Sequence, residues 1–228
     1  MSLAEDIRPA SAVLPDLSEM MASAVTEVDT LFTHARANMA ERVAVDGRVS
    51  SAAVELEQHA VHGLAWLATY TETLRNICAW HDALLSEGRL TELEQLIAQV
   101  VFGEYLNHIA GGIPMNGQEF IRLHELAVPP AASAKLQDGA CGDLLHTAST
   151  PASGARLVEL MIDSRANLTT GDCGLDGMLA ERRSQMNRFI EETVAPHAHD
   201  WHCNNEYVPI EIIAKLADLG VFALTLPE

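Results

Sequence analysis

The stretch from Val54 to Cys78 constrains this chain more than any other. Val54, Val61, Leu64, Ala68, Thr71, Leu74 and Cys78 recur at spacings of three, four and seven residues, which puts them on one side of a helix. Gln58, Thr69, Glu72 and Arg75 fall largely on other sides. The pattern predicts a helix that reaches about Ser86 and stops at Glu87-Gly88. Such a helix is roughly 50 Å long at about 1.5 Å per residue, a rod that suits a bundle better than a compact α/β domain. Its apolar face is expected to bury against the helix that follows.

The rest of the chain reads in the same way. Asp16 and Glu19 resemble a capping box and open a helix to about Val45, closed by Asp46-Gly47. Thr91 and Glu94 form a second capping box. The helix they start carries Leu93, Leu96, Ile97, Val100, Val101, Tyr105 and Ile109 as its apolar face, and Gly111-Gly112 and Pro114 break it. A shorter helix is expected from Asn116 to Leu126. Residues 129–150, rich in Ala, Ser, Gly, Thr and Pro, read as irregular with one short helix, followed by a helix over about Ser153 to Ala166 and a loop at Thr169 to Gly174. A new periodic segment starts at Leu175, runs through Leu179, Arg182, Met186, Phe189, Ile190 and Val194, and ends before Pro196. The last helix begins near Pro209 and ends at Gly220, with Ile212, Ile213, Leu216 and Leu219 apolar. No βαβ pattern is present, so the expected class is all-α. The expected organisation is a flexible arm (1–15), a helical bundle (16–128), an irregular linker with a helix near 153–166 (129–174) and a second helical part (175–228).

Composition supports helices and narrows the partners. The chain is 48% hydrophobic and only 5% aromatic, a balance that favours helix over sheet. The net charge of −18 repels nucleic acid and anionic membranes on average, and Arg182-Arg183 is too small a basic patch to offset it. The four cysteines, Cys78, Cys141, Cys173 and Cys203, are far apart and form no C-x-x-C. With an acidic N-terminus that lacks an apolar signal region, they read as reduced thiols in a cytoplasmic protein. Leu96 to Met115, the most apolar stretch, is interrupted by Gln99, Glu104, Asn107 and His108 and is too polar to span a bilayer.

Several stretches invite a chemical reading. His197, His199, His202 and Cys203 crowd into seven positions beside Asp200 and Glu206. Zinc needs four donors in a tetrahedron. His197 and His199, two apart at a helix end, diverge, and adjacent His202 and Cys203 do not chelate jointly. The stretch therefore reads as a solvated helix C-terminus in which histidines complement the dipole. Glu55, His59, His62, Glu72 and His124 contain no E-x-x-H of the kind that carboxylate-bridged di-metal bundles use. Gly111 to Met115 lacks the Lys and Ser/Thr of a phosphate loop. No G-x-S-x-G or Cys-His signature marks a nucleophile. Trp66 and Trp80, fourteen positions apart on nearly one helix side, read as packing residues. No catalytic, cofactor-binding or metal residue is assigned.

The last fifty residues differ in kind. Phe189, Glu192, Val194, Pro196, Ala198, Trp201, Glu206, Pro209, Leu219, Gly220, Phe222, Leu224, Pro227 and Glu228 together resemble the opening of the acyl-CoA dehydrogenase family: a first helix, a Trp-containing link, a Pro-led helix and an L-G-x-F-x-L-x-x-P-E ending. The resemblance makes residues 175–228 the start of that family's N-terminal helical domain, truncated, with the histidine-rich stretch as the link between its first two helices and without a metal role. The segments HGLAWLATYTETLRNICAW (62–80) and EYLNHIAGGIPMNGQEFIRL (104–123) resemble the helical N-terminal extension of the branch that oxidises methylsuccinyl-CoA to mesaconyl-CoA in the ethylmalonyl-CoA pathway. What the resemblance implies for the parent protein is FAD, an electron-transferring flavoprotein as acceptor, a base that removes the α-proton of the thioester and hydride transfer from the β-carbon to the flavin. The family's flavin contacts and catalytic carboxylate lie in later parts. This chain alone is thus expected to bind no cofactor, with the remainder of the dehydrogenase chain, and further copies of itself, as partners. The competing expectation is a self-contained helical interaction or dimerisation module without catalytic activity.

Overall fold

The computed structural model describes residues 12–163 and 171–223. It is essentially all-α, and it divides into two compact units, Met1–Gly174 and Leu175–Glu228. No described helix is long and apolar enough to cross a membrane.

The first unit is built on α1 (Leu17–Val43). Leu17, Met21, Ala24, Val28, Leu31, Ala35, Met39 and Val43 are buried, and their three- and four-residue spacing makes one straight stripe. Asp46-Gly47, expected only to close this helix, instead turns a hairpin. Both residues have positive φ, 51° and 73°, the geometry of a type I′ turn, and β1 (Ala44–Val45) pairs antiparallel with β2 (Arg48–Val49). After the short α2 (Ser51–Leu56) comes α3 (Gln58–Ser86), which packs on α1 and on α4 (Glu92–Gly111). The Thr91/Glu94 capping box that starts α4 is formed.

The buried face of α3 is rotated from the one expected. Ala60, Gly63, Leu67, Tyr70, Thr71, Leu74, His81 and Leu84 are buried, whereas Val61, Leu64, Ala68 and Cys78 are half-buried. A hydrophobicity pattern discounts Gly63, Tyr70 and His81, yet the close packing of this helix selects them. At Gly63, Ile121 lies so near that an added Cβ would overlap its side chain. On α4 the polar residues Glu94 and Gln99 are buried together with Leu96, Phe102, Leu106 and Ile109. Leu93, Ile97, Val100, Val101 and Tyr105 are half-buried.

Residues 116–126 do not form the expected helix. β3 (Ile113–Pro114) and β4 (Phe120–Ile121) pair antiparallel around the Asn116-Gly117 turn, and hydrogen-bonded turns follow to Val128. The stretch 129–150 is more ordered than its composition suggests. It holds α5 (Pro130–Ala134), a 3₁₀ turn (Lys135–Gln137) and α6 (Gly139–Thr147), and Leu136, Cys141, Leu144, Leu145 and Ala148 join the main core. α7 (Pro151–Asp163) follows and packs on α4. The remainder of the helix expected to reach Ala166 lies outside the described residues, as does most of the expected arm. The described end of that arm is held in place: Leu14 N–H donates to Gln99 Oε1 at 2.7 Å.

The second unit contains α8 (Gly177–Phe189), a π turn (Ile190–Val194), α9 (Ala195–Cys203) and α10 (Ile210–Asp218), then a 3₁₀ turn (Val221–Ala223). Pro196 does not end the helix, contrary to expectation. It falls in the first turn of α9, where a missing N–H costs nothing. The widened turn before it, in which Ala195 N–H donates to Ile190 O, carries the chain through.

Leu67 is fully buried, so Leu67→Ala is expected to cost about 2–5 kcal/mol. Leu64→Ala is expected to cost distinctly less, and urea unfolding of the two variants side by side checks the order.

Candidate functional site

A cluster of polar contacts forms in the first unit where residues 171–174 meet α3 and α4. Glu94 is 3% exposed. Its carboxylate accepts from Thr91 N–H at 3.0 Å, from the Thr91 hydroxyl, and from Asp172 N–H at 2.8 Å. Gly171 (φ 65°) sits so close that an added Cβ would overlap the Glu94 carboxylate. The Asp172 carboxylate takes Arg89 Nε at 2.8 Å and Nη2 at 2.5 Å, a two-point grip. Trp80 Nε1 donates to Asp172 O at 2.9 Å, so this tryptophan fixes backbone as well as packing. Burial pushes the Glu94 pKa up, but the hydrogen bonds from the Thr91 side chain and from the Asp172 and Thr91 backbone outweigh it and hold the group below its ordinary value. A carboxylate with its oxygens so occupied is a clamp for residues 171–172 and is poorly placed to act as a base.

The residues weighed as metal ligands in the first unit are spread among separate contacts. His59 Nε2 is 3.6 Å from Glu125 Oε1. His62 Nε2 accepts from Trp66 Nε1 at 3.0 Å. Glu72 pairs with Arg75 and accepts from Asn76. Glu55 and His124 are exposed. Gly111 to Met115 leads from the end of α4 into β3. Tyr70 and Tyr105 stack with ring centroids 4.4 Å apart, and the Tyr70 hydroxyl is 3.0 Å from His108 Nδ1. Burial raises the Cys78 thiol above its ordinary value and pushes Cys141 up to about 12, so neither supplies a thiolate near neutral pH.

In the second unit the histidine-rich stretch is the helix α9 and not a connector. His197 stacks on Trp201 with centroids 5.7 Å apart. His199 Nε2 lies 3.6 Å from Cys203 Sγ, and His202 is in the last turn. Among the described residues no group of three or more His, Cys, Asp or Glu is gathered as a metal site. The marked feature of this unit is its exposed apolar surface. Ile190, Val208, Ile210, Ile213, Leu219 and Phe222 are all exposed, Ile210 by 71%. Ile212 is the only buried residue among those described from 175 onward. Only the residues themselves, not their exposure, were legible in the sequence.

Comparison with known proteins fits this division. Residues 179–228 match the family model for the acyl-CoA dehydrogenase N-terminal domain. Over 216 residues, 95% of the chain, the sequence is 47% identical to (2S)-methylsuccinyl-CoA dehydrogenase of Cereibacter sphaeroides. The chain spans 39% of that relative's length. The resemblance to acyl-CoA dehydrogenases thus holds in the second unit and runs on through the first.

The clamp has a pH signature. Because the folded Glu94 titrates below its ordinary value, its contribution is full above the unfolded carboxyl pKa, about 4.3. It is lost as pH falls through the lower folded value. Glu94→Gln is expected to lose about 1–3 kcal/mol near neutral pH. The gap between the variant and the parent should close as acid is added, in chemical denaturation followed from neutral pH downward.

Proposed function

We propose that this chain is the N-terminal part of an FAD-dependent acyl-CoA dehydrogenase that oxidises methylsuccinyl-CoA to mesaconyl-CoA. In this reading the first unit is a helical extension and the second opens the dehydrogenase's N-terminal helical domain. The observation that carries it is the continuity of the similarity. One dehydrogenase matches 95% of the chain at 47% identity, across the border at Gly174 and Leu175. A self-contained interaction module is the less favoured reading, because the extension and the dehydrogenase segment occur together in that relative.

In this reading the described part of the second unit holds no flavin by itself. An isoalloxazine ring needs an enclosed, shaped site that orients it against the substrate, and the second unit buries one described residue, Ile212. We therefore assign the flavin contacts and the base to the remainder of the dehydrogenase chain. The present residues contribute a helical wall whose apolar face, around Ile210, Ile213 and Phe222, awaits that remainder. Electron-transferring flavoprotein as acceptor, self-association and a cytoplasmic location complete the reading. The four free cysteines suit a reducing compartment.

Two measurements test it. The isolated chain is expected to show no flavin absorbance and to reduce no artificial acceptor with methylsuccinyl-CoA. The longer protein containing it is expected to turn over methylsuccinyl-CoA faster than butyryl-CoA. A preference for the straight-chain thioester would overturn the substrate assignment.

A further inference from the structure

In the histidine-rich stretch His197 and His199 diverge, and adjacent His202 and Cys203 do not chelate jointly, yet α9 offers a third pairing. His199 and Cys203 stand four positions apart in this helix, so their side chains rise from one face, a turn apart. His199 Nε2 lies 3.6 Å from Cys203 Sγ. Tetrahedral zinc holds imidazole nitrogen at about 2.0–2.1 Å and thiolate sulfur at about 2.3 Å, which sets two such donors about 3.5 Å apart. The edge of a tetrahedral site is thus already present. Histidines at the same i, i+4 spacing form the helical half of zinc-protease sites. The surroundings favour a cation as well. From Ile190 to Ala214 the chain carries Glu191, Glu192, Asp200, Glu206 and Glu211 and no lysine or arginine. Cys203 closes α9, at the carbonyl end of the helix, where the dipole favours positive charge.

We propose that His199 and Cys203 chelate one soft divalent ion of the zinc class on the surface of α9. Among the described residues no third protein donor joins them, so water completes the tetrahedron. Both side chains are exposed, which leaves those positions open to solvent. When the ion binds, the Sγ–H bond breaks and its proton goes to solvent, while Sγ and Nε2 replace two of the ion's waters. Thiolate with imidazole suits zinc or cobalt, whereas magnesium and calcium take oxygen donors. His197 is stacked on Trp201 and takes no part. A thiol that donates to the imidazole gives the same contact without a metal, and the test separates the two. The inference is independent of the dehydrogenase reading.

The test uses the whole 228-residue chain, reduced and kept free of oxygen, with cobalt(II) as the probe at constant pH. A cobalt–thiolate bond gives a charge-transfer band in the near ultraviolet that imidazole or carboxylate ligation alone does not give. The band is expected to saturate at one ion per chain, to vanish when zinc is added and to persist when magnesium is added. Cys203→Ser is expected to abolish the band, and His199→Ala to abolish its saturation over the range in which the parent saturates. Both positions are exposed, so circular dichroism is expected to show the helix content unchanged. His202→Ala and Cys173→Ser, the latter at the other exposed thiol, are expected to titrate as the parent does. No band with the parent chain would leave only a thiol–imidazole hydrogen bond and overturn the proposal. A band that survives Cys203→Ser, a His199→Ala variant that titrates as the parent does, or saturation at one ion per two chains would overturn it equally.

Discussion

The stripe that α1 turns inward is the surface on which the rest of the first unit is laid down. Leu17, Met21, Ala24, Val28, Leu31, Ala35, Met39 and Val43 are each 7% exposed or less, and their spacing keeps them in line for the length of the helix. Small residues at 24 and 35 alternate with large ones, so neighbouring side chains have room to interlock. α3 and α6 both pack on α1, and α4 in turn packs on α3 and α6. Full burial of a large aliphatic side chain stabilises by about 1.5–3 kcal/mol, so a break in this stripe would loosen every later layer.

Once that core is in place, polar residues of α4, two of them buried, serve the irregular parts of the chain. Gln99 donates to Ala12 O and Ala148 O, both at 3.1 Å, and accepts from Leu14 N–H. Asn107 reaches Leu145 O at 2.8 Å. Glu94 holds Asp172 N–H. Backbone groups in segments without a ladder partner must be paired when buried, and these three side chains supply the pairs. They join the strap before α1, the end of α6 and the segment at 171–172 to one helix. The burial of Glu94 and Gln99 is thus explained by architecture, without any call on catalysis.

This division accounts for what the sequence disclosed. The helical class, the long α3 and the Thr91/Glu94 capping box rest on local spacing, which a chain carries openly. The register of α3 was hidden because its contact with Ile121 demands a glycine at 63, and no periodicity scores a glycine as core. The hairpins at Asp46-Gly47 and Asn116-Gly117 did carry a local signal, the Asn/Asp-Gly pair. The flanking strands of two residues each are too short to add alternation to it. The second role of Glu94, gripping Asp172 from 78 positions away, has no local trace. Pro196 misled because proline is read as a stop, whereas a π turn ahead of it makes its position a first turn.

The second unit poses the opposite physical problem. It has helices with well-marked apolar sides, yet Ile212 alone of its described residues is buried. A piece of this size has only a marginal core to draw on, and short helices draw most of their stability from packing of an apolar face. Ile210, Ile213, Leu219 and Phe222 stand in water, at about 25 cal/mol for each Å² of apolar surface left there. Leu219 and Phe222 are also among the residues that carry the resemblance to the acyl-CoA dehydrogenase opening, and they fall within the matched range 179–228. Exposure and kinship are separate observations, one made on side chains and the other on sequence. On the proposed reading the two meet, because side chains that the rest of a dehydrogenase would cover are left exposed when their own unit buries so little.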